Sequence, residues 1–135
     1  MNTFFRLSLL SITVLSLNSC GYGYSTSERF TPFDPSQKDI KCNYVPEKVD
    51  LFFEGEKIDF EYEKLGVIEV QGQQYANDAE MLEKLKKLAK EKCCDAIINL
   101  KRGYIDRERG LFFSSEPNEK YSAITYFGLG VKKRS

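Results

Sequence analysis

A single helical stripe is the clearest pattern in the chain, and it limits what the remainder can build. Met81, Leu82, Leu85, Leu88 and Ala89 recur at spacings of three and four residues and so share one helix face. Asn77 is a good N-cap, and Glu80 follows three residues on, as in a capping box. Glu80–Lys84 and Glu83–Lys87 are i,i+4 pairs in the favourable order. Lys86, Lys87, Lys90 and Lys92 crowd the C-terminal half, where the helix dipole favours cations. They read as a solvated helix face.

The segments on either side carry strand patterns. Val49, Leu51 and Phe53 alternate with Asp50 and Phe52 and run into a turn at Glu54-Gly55. A second strand is expected over 64–71, around Val67, Ile68 and Val70, ended by Gly72 and the polar Gln73-Gln74. After the helix, residues 96–100 read as a buried strand. Residues 103–120 hold Gly103, Gly110, Ser114, Ser115 and Pro117 and suggest a loose hairpin or a long loop. In the last strand, Tyr121, Ala123, Thr125, Phe127, Leu129 and Val131 fall on one face. Gly128 and Gly130 fall on the other, where a neighbour can approach the backbone closely. One helix covers only one face of such a sheet. The expectation is therefore an α+β two-layer sandwich in ββαββ order, with a mainly antiparallel sheet of about four strands.

The N-terminus carries a different kind of information. One charge, Arg6, precedes a short, mostly apolar run over residues 7–17, as in a secretory signal. The run is shorter than the roughly 20 apolar residues of a spanning helix. It ends in Leu17-Asn18-Ser19-Cys20, which resembles the bacterial lipobox, with Asn18 departing from the usual small or apolar residue. That resemblance implies a diacylglycerol on the Cys20 sulfur, cleavage before Cys20 and acylation of the new amine. Two or three chains anchor a protein stably to a bilayer. Gly21 rather than Asp follows Cys20, which by the sorting pattern of Gram-negative lipoproteins implies the outer membrane, and no acidic cluster follows Cys20 to signal export to the outer face, so the periplasmic face is expected.

The expected organisation is a signal peptide over 1–19, a lipidated tether over 20–46 and an α+β domain over 47–135. In the tether, residues 21–27 are small and polar apart from Tyr22 and Tyr24, and Pro32, Pro35 and Pro46 break regular structure. It reads as a spacer, or as a docking segment that uses Tyr22, Tyr24, Phe30 and Phe33. The chain has 20 basic and 20 acidic residues, so no basic stripe argues for nucleic acid. It has no His, which removes the commonest general base and the commonest transition-metal ligand. Ser114-Ser115 sits in a polar loop with no base to activate it. No cofactor and no catalytic residue is expected.

A resemblance to a family adds to this reading. Tyr62-Glu63-Lys64-Leu65-Gly66-Val67-Ile68, then the helix, then Cys94-Asp95-Ala96-Ile97-Ile98-Asn99, then a strand with Gly128 and Gly130, is similar to a group of small bacterial domains. These include the YbjQ-like domains named as heavy-metal-binding and the outer-membrane lipoprotein that senses envelope stress for the Rcs pathway. The likeness covers roughly residues 60–131. This chain has Cys93-Cys94 where the family usually has Gly-Ala, which removes the glycine expected at the helix C′ position. Asp95 is expected to bond backbone N–H groups of that turn. No ligand set for a heavy metal carries over.

With Cys20 acylated, Cys42, Cys93 and Cys94 remain in an oxidising compartment. The expected bridge joins Cys42 to Cys93 or Cys94 and closes a loop of about 50 residues, leaving the more buried of the adjacent pair as a thiol. The stress-sensor relative is also disulfide-bonded, which supports a bridge here. Two other uses stay open: a vicinal Cys93–Cys94 redox switch, and a three-thiolate site for a soft metal ion. The functional expectation is a non-catalytic, membrane-anchored periplasmic lipoprotein that binds an envelope protein in sensing or assembly. A thiolate-based metal or redox domain is the alternative, and a small-ligand enzyme the least favoured one.

Overall fold

The computed structural model describes residues 21–37 and 42–134. Six strands and one α-helix follow in the order β1 (Gly21–Tyr22), β2 (Ser27–Pro32), β3 (Asp50–Phe53), β4 (Tyr62–Gln71), α1 (Asp78–Glu91), β5 (Ala96–Leu111) and β6 (Glu119–Lys133). The sheet runs β1-β5-β6-β4-β2, and β3 also pairs with β5. All pairings are antiparallel except β3 with β5, which is parallel.

This overturns the four-strand ββαββ layout, although one helix on a mostly antiparallel sheet keeps the molecule α+β. Two strands come from residues 21–32, which the sequence assigns to a tether. Ser27–Pro32 pairs along its whole length with Gly66–Gln71 of β4. Over residues 103–120, where a loose hairpin or a long loop was expected, β5 continues in regular strand to Leu111 and pairs with β6 from Glu119, so the hairpin reading holds and the long loop does not. Its charges find partners across the hairpin: Glu108 lies opposite Lys120 and Arg109 opposite Glu119, and both pairs are ion-paired. Opposite charges facing each other across an antiparallel pair stabilise it.

The helix forms where its pattern places it. The Asn77 side chain accepts the Glu80 N–H at 2.9 Å, and Met81, Leu85, Leu88 and Ala89 are the buried stripe. They pack against Ile68, Val70, Ile97, Leu100 and Tyr126. Burying a side chain of this size contributes roughly 1.5–3 kcal/mol. The half-buried lysines pair differently from expectation: Lys86 meets Glu83 at 2.9 Å, and Lys84 reaches Glu28 of β2 at 3.8 Å.

The other face of the sheet is apolar too and needs its own cover. At one end, Phe52, Ile58 and Phe60 pack on Ala96, Ile98 and Val131. At the other, residues 23–26 join β1 on one side of the sheet to β2 on the opposite side. Between the two covers Phe127 stays 42 % exposed. Gly130 faces the helix side, where an added Cβ would lie 2.6 Å from the Cys94 sulfur, so the close approach expected there is real.

Candidate functional site

The helix terminus decides the chemistry of the cysteines. Lys92 is the C-cap, and Cys93 follows at φ +62°, the left-handed conformation usually taken by glycine. The Cys93 N–H donates to the Lys90 carbonyl at 3.1 Å and the Cys94 N–H to the Ala89 carbonyl at 2.9 Å. These two bonds are the Schellman pair, formed here without glycine. The reversal directs the two adjacent side chains apart. Cys93 forms a disulfide with Cys42, with Cα atoms 5.5 Å apart, while Cys94 turns inward and is fully buried. Asp95 does not bond the turn; its carboxylate accepts the Lys133 N–H of β6 at 2.9 Å.

Burial, and then the neighbouring Asp95 charge, push the Cys94 thiol up to about 12. It is protonated at neutral pH and is neither a nucleophile nor a ligand there. The bridge occupies two of the three sulfurs, so this oxidised form contains no three-thiolate set and no Cys93–Cys94 linkage. Among the described residues no group of three or more His, Cys, Asp or Glu is placed to hold a metal ion.

Beside the disulfide end lies an open cleft of about 500 Å³, lined by Tyr44, Glu47, Lys48, Asp50, Asp95 and Lys133 among others. Its charges answer one another. Asp50 accepts from Lys133 at 2.8 Å and pairs with Lys48 at 2.8 Å, and both hydrogen bonds hold its carboxyl below the usual range. Nothing there combines a nucleophile with a base.

The opposite end of the sheet is built around the N-terminal segment. Cys20, the expected lipidation site, lies outside the described residues. Gly21, the next residue, is already in β1, opposite Leu111, and Tyr22 lies opposite Gly110. Gly23 has φ +78°, and a Cβ there would come within 2.2 Å of the Glu108 carbonyl oxygen. The Tyr121 hydroxyl donates to the Gly23 carbonyl at 2.8 Å. Arg107 donates to the Ser25 carbonyl at 3.1 Å and to the Gly72 carbonyl at 2.6 Å. These residues stitch 23–26 onto the sheet, and sequence reasoning missed them. Their only signal is an Arg and a Tyr embedded in strand, each of which needs a polar partner.

Past this strap, the β5–β6 hairpin turns through Leu111, Phe112 and Phe113, which are 51 %, 63 % and 93 % exposed. The Tyr22 ring packs on Phe112 with centroids 5.2 Å apart. Among the described residues no helix is long and apolar enough to cross a membrane. No family model, curated protein or solved structure matches the chain.

Proposed function

We propose that the chain is an exported lipoprotein, acylated at Cys20 on the periplasmic face of the outer membrane, whose domain binds an envelope protein without catalysis. The Cys42–Cys93 disulfide is the observation that carries this reading. Disulfides persist in exported compartments and are rare in a reducing cytosol. The apolar run over 7–17 and Leu17-Asn18-Ser19-Cys20 point independently to the same compartment. Envelope sensing or assembly is favoured by the similarity of residues 60–131 to the stress-sensor lipoprotein group. The lack of His, the buried Cys94 thiol and the mutually paired charges of the cleft argue against chemistry at a reactive centre.

Among the described residues, the outer edge of β5 carries no partner strand between the part paired with β3 and the part paired with β1. An open edge of this kind is where an extended segment of another protein adds a strand. Intact-mass analysis of the mature protein should show acyl chains on Cys20. An unmodified, soluble mature form would refute the anchor. A photo-crosslinker at the exposed Tyr104 on this edge should capture a defined envelope protein in native membranes. Turnover of a small molecule with no protein captured would reverse the reading.

A further inference from the structure

The hairpin tip is the least expected surface of the molecule. Leu111, Phe112 and Phe113 are three consecutive large apolar side chains, all more than half exposed. Ser114 and Ser115 follow, so the turn is uncharged over five residues. Of the flanking charges, Arg109 pairs with Glu119 and Glu108 with Lys120, while Glu116, just past the serines, is exposed and forms no ion pair among the described residues. Tyr22 and Tyr24 lie beside the tip, Tyr22 in ring contact with Phe112 and Tyr24 half exposed over Arg109 at 5.7 Å. This is a small apolar end rimmed by tyrosines, the composition that settles at a bilayer interface.

The register of β1 supplies the occupant. Gly21 pairs with Leu111. Consecutive Cα atoms are about 3.8 Å apart, so residue 20 is one peptide unit from a backbone position that lies opposite Leu111. A chain acylated at Cys20 therefore enters the lipid beside Leu111, Phe112 and Phe113. The disulfide and the charged cleft sit at the other end of β5 and β6, where Asp95 meets Lys133. From Leu100 to Leu111, at about 3.3 Å per residue, the strand runs roughly 35 Å.

We propose that Leu111, Phe112 and Phe113 form a second membrane contact, inserting into the interface of the bilayer that holds the acylated Cys20 and standing the sheet upright on it; this rests on the lipoprotein reading. Acyl chains alone leave a domain free to rotate about its anchor. A hairpin tip seated beside them fixes which end faces the lipid, and it holds the disulfide end away from it, with the open β5 edge running between the two.

The chain contains no Trp, so a single introduced indole reports its own surroundings. Phe113→Trp is made in the full-length gene, and the acylated protein is reconstituted into vesicles of phosphatidylethanolamine and phosphatidylglycerol with brominated acyl chains. Its emission should shift to shorter wavelength and be quenched relative to unbrominated vesicles. Tyr44→Trp, on an exposed residue at the opposite end, should show neither change. Unquenched Phe113→Trp in a protein that still sediments with the vesicles would overturn the inserted tip and leave the lipoprotein reading intact. A mature chain whose mass shows no acyl group would overturn the lipoprotein reading, and the inserted tip with it.

Discussion

Cys93 occupies the C′ position that glycine usually fills at helix ends, and it holds a left-handed backbone with a full side chain. That conformation costs an L-residue about 1–2 kcal/mol. The bridge to Cys42 offsets the cost, because cross-linking a long loop contributes typically about 2–4 kcal/mol. The two effects separate in a bridge-free background. We expect Cys42→Ser/Cys93→Gly to be more stable than Cys42→Ser/Cys93→Ser by about 1 kcal/mol in urea unfolding. Equal stabilities would mean that the left-handed residue carries no cost here. Cys94 makes a second test at the same scale. Fully buried and protonated at neutral pH, it should resist iodoacetamide in the native protein and react on denaturation. Rapid native labelling would mean that the helix end opens readily.

At the scale of elements, the helix start and the hairpin are tied by one carboxylate. Asp78 accepts from Arg102 at 2.7 Å and from the Tyr126 hydroxyl at 2.7 Å. Both bonds, Arg102 first, hold its carboxyl below the usual range. Its folded pKa is thus lower than its unfolded one, so its contribution is complete above the unfolded pKa near 4 and is lost as pH falls through the folded value. Asp78→Asn should flatten the acid limb of the stability–pH curve. An unchanged limb would mean that the pair is screened out by solvent. The strap is the second element-scale device. Gly23→Ala adds a Cβ against the Glu108 carbonyl in a left-handed residue. It should detach β1 from β5 and cost on the order of 1–3 kcal/mol. Hydrogen exchange checks this: of the Gly110 and Leu111 amides, the one that points across to β1 should lose protection while the helix keeps its own. Unchanged protection there would show that β1 is not held through Gly23.

For the whole molecule, the Cys42–Cys93 bridge ties residue 42 to the helix end across 51 residues of sequence. Neither core cluster contains Cys42 or Cys93. Cys42→Ser should therefore lower the unfolding free energy by about 2–4 kcal/mol and leave the circular dichroism of the native state unchanged. Loss of the folded spectrum would show that the bridge is needed to form the fold.

What could be read locally was the helix: its stripe, its Asn77 cap and its lysine-rich end agree within one short window. Close approach at Gly130 was legible for the same reason, because alternation along one strand is a local property. The length of β5 was not. Lys101, Gly103, Ile105 and Arg107 on one face and Arg102, Tyr104, Asp106 and Glu108 on the other mix charge, glycine and apolar residues, so the alternation is hidden until β6 supplies the opposite charges. Nor was β2: Ser27–Pro32 has Phe30 as its one large apolar side chain, and only the free edge of β4 makes it a strand. The choice of Cys93 over Cys94 was likewise tertiary. Two neighbours in sequence are equivalent until a left-handed turn sends one side chain outward to Cys42 and the other under Gly130. Sequence by itself determined the elements whose signal repeats within a turn or two of chain. Strand partners, the covering of the second face and the pairing of sulfurs depend on groups brought together from far apart, and only the folded structure decided them.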